Sequence, residues 1–314
     1  YLFRQLIYLL FSIFVCSLFL YLSSENLKKN YKVFFYFFLF LLILGAIAGK
    51  TAGGSTRWLS FSGYNIQPSE FFKLFYIVWL CAYLDYNKNN IRRIEFFIVP
   101  VLWFTVGAIF LILQPDYGST AVLFFMTILM LFIAKAKYIH LISTGIIGSL
   151  ASVIVFILNP YMLSRLKFFE PCQDYGAIGY QLCYSLMAIG SGSIFGKGLG
   201  ASTSKLFFLP AAHTDFIFAV LAEELGILGI IFLVFIFYLF FRKCFYIGNR
   251  ALRVDLTFQG YLSYAIGIFI TMQAFLHMSV NLGLAPTKGL ALPFFSYGGS
   301  NYLASMLSIT FILR

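Results

Sequence analysis

Nine predominantly apolar stretches recur along this chain of 314 residues, near 3–23, 33–50, 68–86, 94–113, 118–134, 138–158, 211–241, 256–283 and 294–313. A helix needs about 20 such residues to cross a hydrocarbon core of about 30 Å. Charged residues make up 11% of the chain and hydrophobic residues 61%, where a soluble domain carries about 25% charged residues. The pattern predicts an all-α polytopic membrane protein with about nine transmembrane helices, forming a single integral membrane domain over 1–314.

The net charge of +11 raises nucleic acid as a partner. Its distribution excludes that reading, because most of the basic residues fall in short clusters between apolar runs. Lys28, Lys29 and Lys32, then Lys88, Arg92 and Arg93, then Lys135 and Lys137, then Arg242, Lys243, Arg250 and Arg253 occupy alternate loops. The positive-inside rule makes these loops cytoplasmic. The opposite set, 50–67, 114–117, 159–210 and 284–293, holds most of the Gly and Pro and reads as extracytoplasmic. The 40 Phe and 21 Tyr are too dispersed for a base-stacking platform and read as lipid-facing and packing residues. No stretch resembles a cleavable signal peptide. With this topology residue 1 starts on the outer side, which a further helix ahead of it would explain.

The five cysteines, Cys16, Cys81, Cys172, Cys183 and Cys244, show no zinc or C-x-x-C spacing. Four of them lie in or beside apolar segments and read as core residues, while Cys172 and Cys183 flank one loop region, with a pair between them as the alternative. The largest extracytoplasmic loop, 159–210, is not a low-complexity linker. Ile178, Leu182, Leu186 and Ile189 give its 178–190 segment helical spacing. That segment is too short to span and fits an interfacial or re-entrant helix. Long ordered loops are usually functional. No internal repeat of the inverted-transporter kind is visible.

Three of the 11 acidic residues fall within LPAAHTDFIFAVLAEELG, 209–226. Asp215 sits where a long helix should begin. It is either a cap and dipole partner or a carboxylate available as a base or a cation ligand. His213 is either its partner or an interfacial residue. Glu223 and Glu224 lie two turns further in, where ionisable groups face a polar cavity or a partner. A structural salt bridge to a neighbouring helix is the expectation for at least one of them. In GGSTRWLSFSGYNIQPSEFFKL, 53–74, Glu70 and Lys73 are i, i+3 neighbours on one helix face. They are either a structural pair or, with Arg57, part of a positive site for phosphate. Gly196, Gly198 and Ala201 give a loose G-x-G-x-x-A match without βαβ context, so a dinucleotide fingerprint is excluded. These glycines serve tight turns and close backbone approach. Lys288 and Ser296 lie in APTKGLALPFFSYGGSN, 285–301, which is either a rigid turn into the last helix or part of the site.

HTDFIFAVLAEELG, RWL followed by QPSEFFKL, QPDYGS at 114–119, GYQLCYSLMAIGSG at 179–192 and PTKGLALPFFSYGGS at 286–300 occur in order across nearly the whole chain. Together they resemble the SEDS family, that of FtsW, RodA and SpoVE. PTKG at 286–289 resembles the FtsW and SpoVE branch. The resemblance implies ten transmembrane helices, the opening YLFRQLIYLL looking like the second. It implies a peptidoglycan glycosyltransferase that polymerises lipid II at the outer face of the bacterial cytoplasmic membrane during division. Asp215 matches the essential aspartate and would be the base on the acceptor hydroxyl. Arg57 and Lys73 match essential basic residues that would hold the diphosphate, with Glu70 orienting Lys73 and with His213, Lys288 and Ser296 as further substrate-binding candidates. Mg²⁺ or Mn²⁺ is the implied cofactor, with Asp215 as a potential ligand and no organic cofactor. A class B penicillin-binding protein and other division proteins are the implied partners. The chain departs from the family pattern at Ala211, where a Glu is common, and at Ala291 and Asn301. A lipid II flippase and a non-enzymatic division scaffold are the rival readings.

Overall fold

The computed structural model describes residues 2–21, 23–52, 55–61, 64–158, 172, 177–206, 209–286 and 289–314. Helices α1 (Leu2–Tyr21), α2 (Ser24–Lys29) and α3 (Tyr31–Ala48) come first. Three short strands follow, β1 (Lys50–Ala52), β2 (Ser55–Phe61) and β3 (Tyr64–Ile66). Then come α4 (Pro68–Tyr86), α5 (Ile94–Leu113), α6 (Tyr117–Ile133), α7 (Tyr138–Leu158), α8 (Ala177–Ser191), α9 (Ile217–Arg253), α10 (Thr257–Asn281) and α11 (Gly299–Leu313).

Each of the nine apolar stretches is a helix, namely α1, α3–α7 and α9–α11, so the polytopic membrane architecture holds. By length and apolarity alone, six of them qualify as spans among the described residues. Helices α6 and α11 are shorter, at 17 and 15 residues, and α4 carries Glu70, Lys73 and Asp85. The segment expected to lie at the interface is α8. Three boundaries differ from the sequence reading, and α11 is one of them, starting at Gly299 rather than 294. Helix α9 starts at Ile217 rather than 211, because 210–216 is a turn, and it runs on to Arg253. The 50–67 stretch, read as a plain loop, is an antiparallel sheet in the order β1-β2-β3. Lys50 pairs with Trp58, and Leu59 with Ile66.

The chain, read from sequence as one domain, divides into two compact units. The first comprises 1–143, 241–270 and 298–314, and the second 144–240 and 271–297. In the first unit α4 is the buried helix, with Leu74, Ile77, Val78, Leu80 and Cys81 fully enclosed. Pro68 opens it at a position where its missing N–H does no harm. Phe35 stacks on Trp79, the ring centroids 5.1 Å apart, and meets Trp103 edge-on at 5.3 Å. The Tyr76 hydroxyl, inside this cluster, pairs with Thr127 Oγ1 at 2.9 Å, as a buried phenol requires. Asp116 caps α6, accepting from the Ser119 N–H and hydroxyl. At the basic-loop end, Asp85 is paired with Lys28 and accepts from the Thr257 hydroxyl.

In the second unit the core joins α8 to the start of α9, through Ala188, Leu209, Ala212, Phe216, Ala219 and Val220. Cys172 and Cys183 are disulfide-bonded, the alternative to the core reading for that pair. The disulfide ties loop residue 172 to α8. Cys16, Cys81 and Cys244 are free and buried, as expected of core residues.

Candidate active site

Asp215 lies on the turn that leads into α9, and the turn is built by one carbonyl. The Ala211 C=O accepts from the amides of Thr214 (3.0 Å), Asp215 (3.1 Å) and Phe216 (3.3 Å). Ala211 has φ +56°, a left-handed conformation that non-glycine residues seldom adopt. Its side chain is exposed, so its contribution here is made by its backbone.

The next carbonyls, which a helix would have engaged, are taken up one by one from the α10 side. Tyr297 N–H donates to His213 O at 2.9 Å. The Ser296 hydroxyl donates to Thr214 O at 2.8 Å while accepting from Leu292 N at 2.7 Å. Asn281 Nδ2 donates to Asp215 O at 3.1 Å and to His277 O at 2.9 Å. Three consecutive peptide units are thus fixed, and the half-buried Asp215 side chain leaves from a backbone with no slack. Ser296 is fully buried, and its hydroxyl is engaged at both its donor and an acceptor position by the backbone.

Helix α10 carries the rest of this frame. Gln273 Nε2 donates to Ala291 O at 3.0 Å, and His277 Nδ1 lies 2.6 Å from Leu290 O. A carbonyl at that distance places a proton on Nδ1. Gln273, His277 and Asn281 repeat every four residues along one face, and they bind the 290–291 backbone and the Asp215 turn to the same helix. Sequence reading passed over all three. Their signal was a polar residue at each fourth position of an apolar span. Lys288 lies outside the described residues.

The basic candidates fall in the first unit. Arg57, on β2, is half-buried. Its Nε donates to Gln114 O at 2.8 Å and its Nη2 to Pro115 O, so the guanidinium sits over the carbonyl end of α5, where a cation is favoured. Gln114 is itself held through Nε2 to Leu42 O at 2.9 Å. Lys73 is wholly enclosed and pairs with Glu70 Oε1 at 2.9 Å, with the Phe269 ring 5.6 Å from its Nζ. The i, i+3 pairing read from the sequence is present.

Glu223 and Glu224 are structural, but their partners are loop residues rather than a neighbouring helix. Glu223 is fully buried and accepts from Lys197 Nζ (2.7 Å), the hydroxyls of Ser202 (2.6 Å) and Thr203 (3.0 Å), and the amides of Thr203 and Ser204. Glu224 pairs with Lys205. Among the described residues no three His, Cys, Asp or Glu gather as a metal cage.

The chain can now be set beside known proteins. The FtsW/RodA/SpoVE family, described as cell cycle proteins, matches residues 1–314. A protein of Thioalkalivibrio sulfidiphilus named "Probable peptidoglycan glycosyltransferase FtsW" is 42% identical over 284 residues, which is 89% of this chain and 70% of that protein. One of the same name from Buchnera aphidicola is 36% identical, covering 99% of this chain and 82% of its own length. Among solved structures, the rod shape determining protein RodA of Thermus thermophilus superposes with a TM-score of 0.73 at 25% identity, over 99% of this chain and 86% of its own. A chain from work on structural coordination of polymerization and crosslinking by a peptidoglycan synthase complex superposes with a TM-score of 0.82 at 24% identity, covering 99% and 88%, and shares the fold. The order of the motifs, the arrangement of the helices and the whole-length match agree, and the chain belongs to the FtsW/RodA/SpoVE family.

Proposed function

We propose that this protein is a peptidoglycan glycosyltransferase that polymerises lipid II at the outer face of the bacterial cytoplasmic membrane during division, with Asp215 as the general base. The observation that carries the reading is the fixing of carbonyls 213, 214 and 215 by three separate donors. A helix cap needs no such frame, whereas a base must hold its carboxylate to a fraction of an ångström. The names of the relatives supply the reaction class.

The 4-hydroxyl of an acceptor GlcNAc attacks the anomeric carbon of the donor MurNAc. Asp215 takes the hydroxyl proton, the new C–O bond forms, and the bond to the lipid diphosphate breaks with its electron pair on the leaving oxygen. The α linkage becomes β in one displacement. The leaving group needs positive charge. Arg57 retains guanidinium N–H groups beyond the two engaged by Gln114 and Pro115 and is the diphosphate ligand in this scheme. Lys73 adds charge, and Glu70 holds it in place. Mg²⁺ is commonly bound through one or two carboxylates plus substrate phosphates. Asp215 would hold such an ion, which would neutralise diphosphate charge.

Two features support an outward-facing site. The Cys172–Cys183 disulfide lies in the same polypeptide stretch as the turn, and disulfides persist on the oxidising side. The basic clusters sit at the opposite helix ends. The partner in this reading is a class B penicillin-binding protein, which crosslinks the strands.

The test is Asp215→Asn in purified protein with that partner and labelled lipid II. Asn caps a helix about as well as Asp but takes no proton. Turnover should fall by roughly 10² or more with unfolding temperature unchanged. Glycan strands made at the wild-type rate would return Asp215 to a capping role. Lipid movement without strands in the wild-type protein would favour the flippase.

A further inference from the structure

Helix α9 contains a break whose position in the sequence is informative. Gly226 has φ +66° and ψ −168°, a combination open essentially to glycine alone. After it the apolar run Ile227–Phe241 reaches the basic pair Arg242 and Lys243. Those fifteen residues rise about 22 Å, short of the roughly 30 Å that a hydrocarbon core demands. The break therefore falls inside the apolar slab, about one and a half turns beneath its surface.

Broken backbone at that depth is tolerated only when its polar groups are satisfied, and here the loop 192–206 satisfies them. Lys197 N and Gly198 N donate to the carbonyls of Glu223 and Glu224, each at 3.0 Å. Ile227 N and Leu228 N donate to Ser193 O and Ile194 O at 3.0 and 3.2 Å. Gly192 and Gly196 make the approach possible, since a Cβ on either would stand 2.1 Å from a backbone oxygen of Ala222 or Glu224. The loop's two cations are matched by Glu223 and Glu224. The large side chains that remain most exposed on the loop are apolar: Ile194, Phe195 and Leu199 are 55%, 80% and 82% exposed, beside the smaller polar Ser193 and Thr203 and the paired Lys197. They continue the exposed wall formed by Ile227, Leu228 and Ile231 on the spanning helix α9.

We infer that this loop is a bilayer contact: Ile194, Phe195 and Leu199 seat among lipid acyl chains, and the loop reaches that depth because it completes the broken turn of α9. The occupant is lipid, because the exposed surface is continuous with the wall of a membrane span and every charge on the loop is internally paired.

The experiment uses the full chain in nanodiscs of phosphatidylethanolamine and phosphatidylglycerol, with a nitroxide on Phe195→Cys or Leu199→Cys. The native free cysteines are buried and the other two are bonded to each other, so labelling is confined to the new site. Ile147→Cys on α7 is the lipid reference, and Lys88→Cys, in the exposed turn after α4, is the water reference. Collisions with oxygen should exceed those with a water-soluble nickel chelate at both loop positions, as at Ile147. A chelate-dominated signal like that of Lys88 would overturn the inference. So would a label shielded from both reagents, which would mean that protein, a partner helix or a second copy, covers the loop.

Discussion

At the scale of single residues, the frame around Asp215 and the buried pair Glu70–Lys73 make different demands. Asn281 reaches Asp215 only through a backbone carbonyl, so it is a positioning residue. Asn281→Ala frees the Asp215 carbonyl in a part-buried place, at a cost of about 1–3 kcal/mol, while the His277 carbonyl keeps its helical partner. The released turn should also lower kcat by ten- to a hundredfold while KM for lipid II stays put, because misplacing a reacting group is paid in rate. Steady-state kinetics beside thermal unfolding would check this, and lost stability with unchanged kcat would refute it. Lys73 is a sharper case. Lys73→Met alone strands the Glu70 carboxylate and should destabilise by about 3–5 kcal/mol. Glu70→Leu with Lys73→Met removes both charges and should restore much of that stability. If Lys73 also supplies charge to the diphosphate, the double variant folds and remains inactive. Full activity in the double variant would make the pair structural.

At the scale of elements, the glycine string 190–200 gives a graded test, because its members do different things. Gly190 lies in α8 with open space around a Cβ, whereas Gly192 and Gly196 press on the backbone of α9. Gly190→Ala should be neutral or stabilising by up to about 1 kcal/mol. Gly192→Ala and Gly196→Ala cannot be accommodated without displacing backbone, and they should lower the unfolding temperature and expose the loop to protease. Equal behaviour of the three variants would contradict the close packing of this loop on the break in α9. This is also where sequence reading reached its limit. Apolar length located every long helix, since a run of twenty such residues has few other fates. Spacing within the string announced close backbone approach but did not name what was approached, because nothing in the sequence sets Gly226, the receiving break, apart from Gly229 in the same helix. Glu223 and Glu224 were correctly read as structural, but their partners lie 19 to 26 residues upstream in a loop, which helix-to-helix reasoning does not search. The sheet was overlooked although Gly53-Gly54 and Ser62-Gly63 separate its strands, dipeptides of the kind that mark hairpins. A membrane composition draws attention away from period-two patterns.

At the scale of the whole molecule, the candidate site residues divide between the two compact units, with Arg57, Glu70 and Lys73 in one and His213, Asp215 and Ser296 in the other. Sequence order showed which motifs were present, while the fold added the frame of Gln273, His277 and Asn281 and the sealed state of Lys73. The orientation of the chain is open to a direct test, because the two sets of loops differ in both charge and redox chemistry. Lys88 and its neighbours belong to a basic set that should face the cytoplasm. Asn65, exposed on β3, belongs to the opposite set, which also carries the disulfide. With Lys88→Cys or Asn65→Cys introduced singly, a membrane-impermeant maleimide applied to intact spheroplasts should label position 65 at once and position 88 only after permeabilisation. The same preparation tests the disulfide. Cys172 is exposed and should stay unreactive until a reductant is added, because the pair persists only on the oxidising side. Labelling of 88 and 65 from the same side would undo the alternation of the helices. Labelling of Cys172 without reductant would undo the tie between α8 and its loop, and with it one support for an outward-facing Asp215.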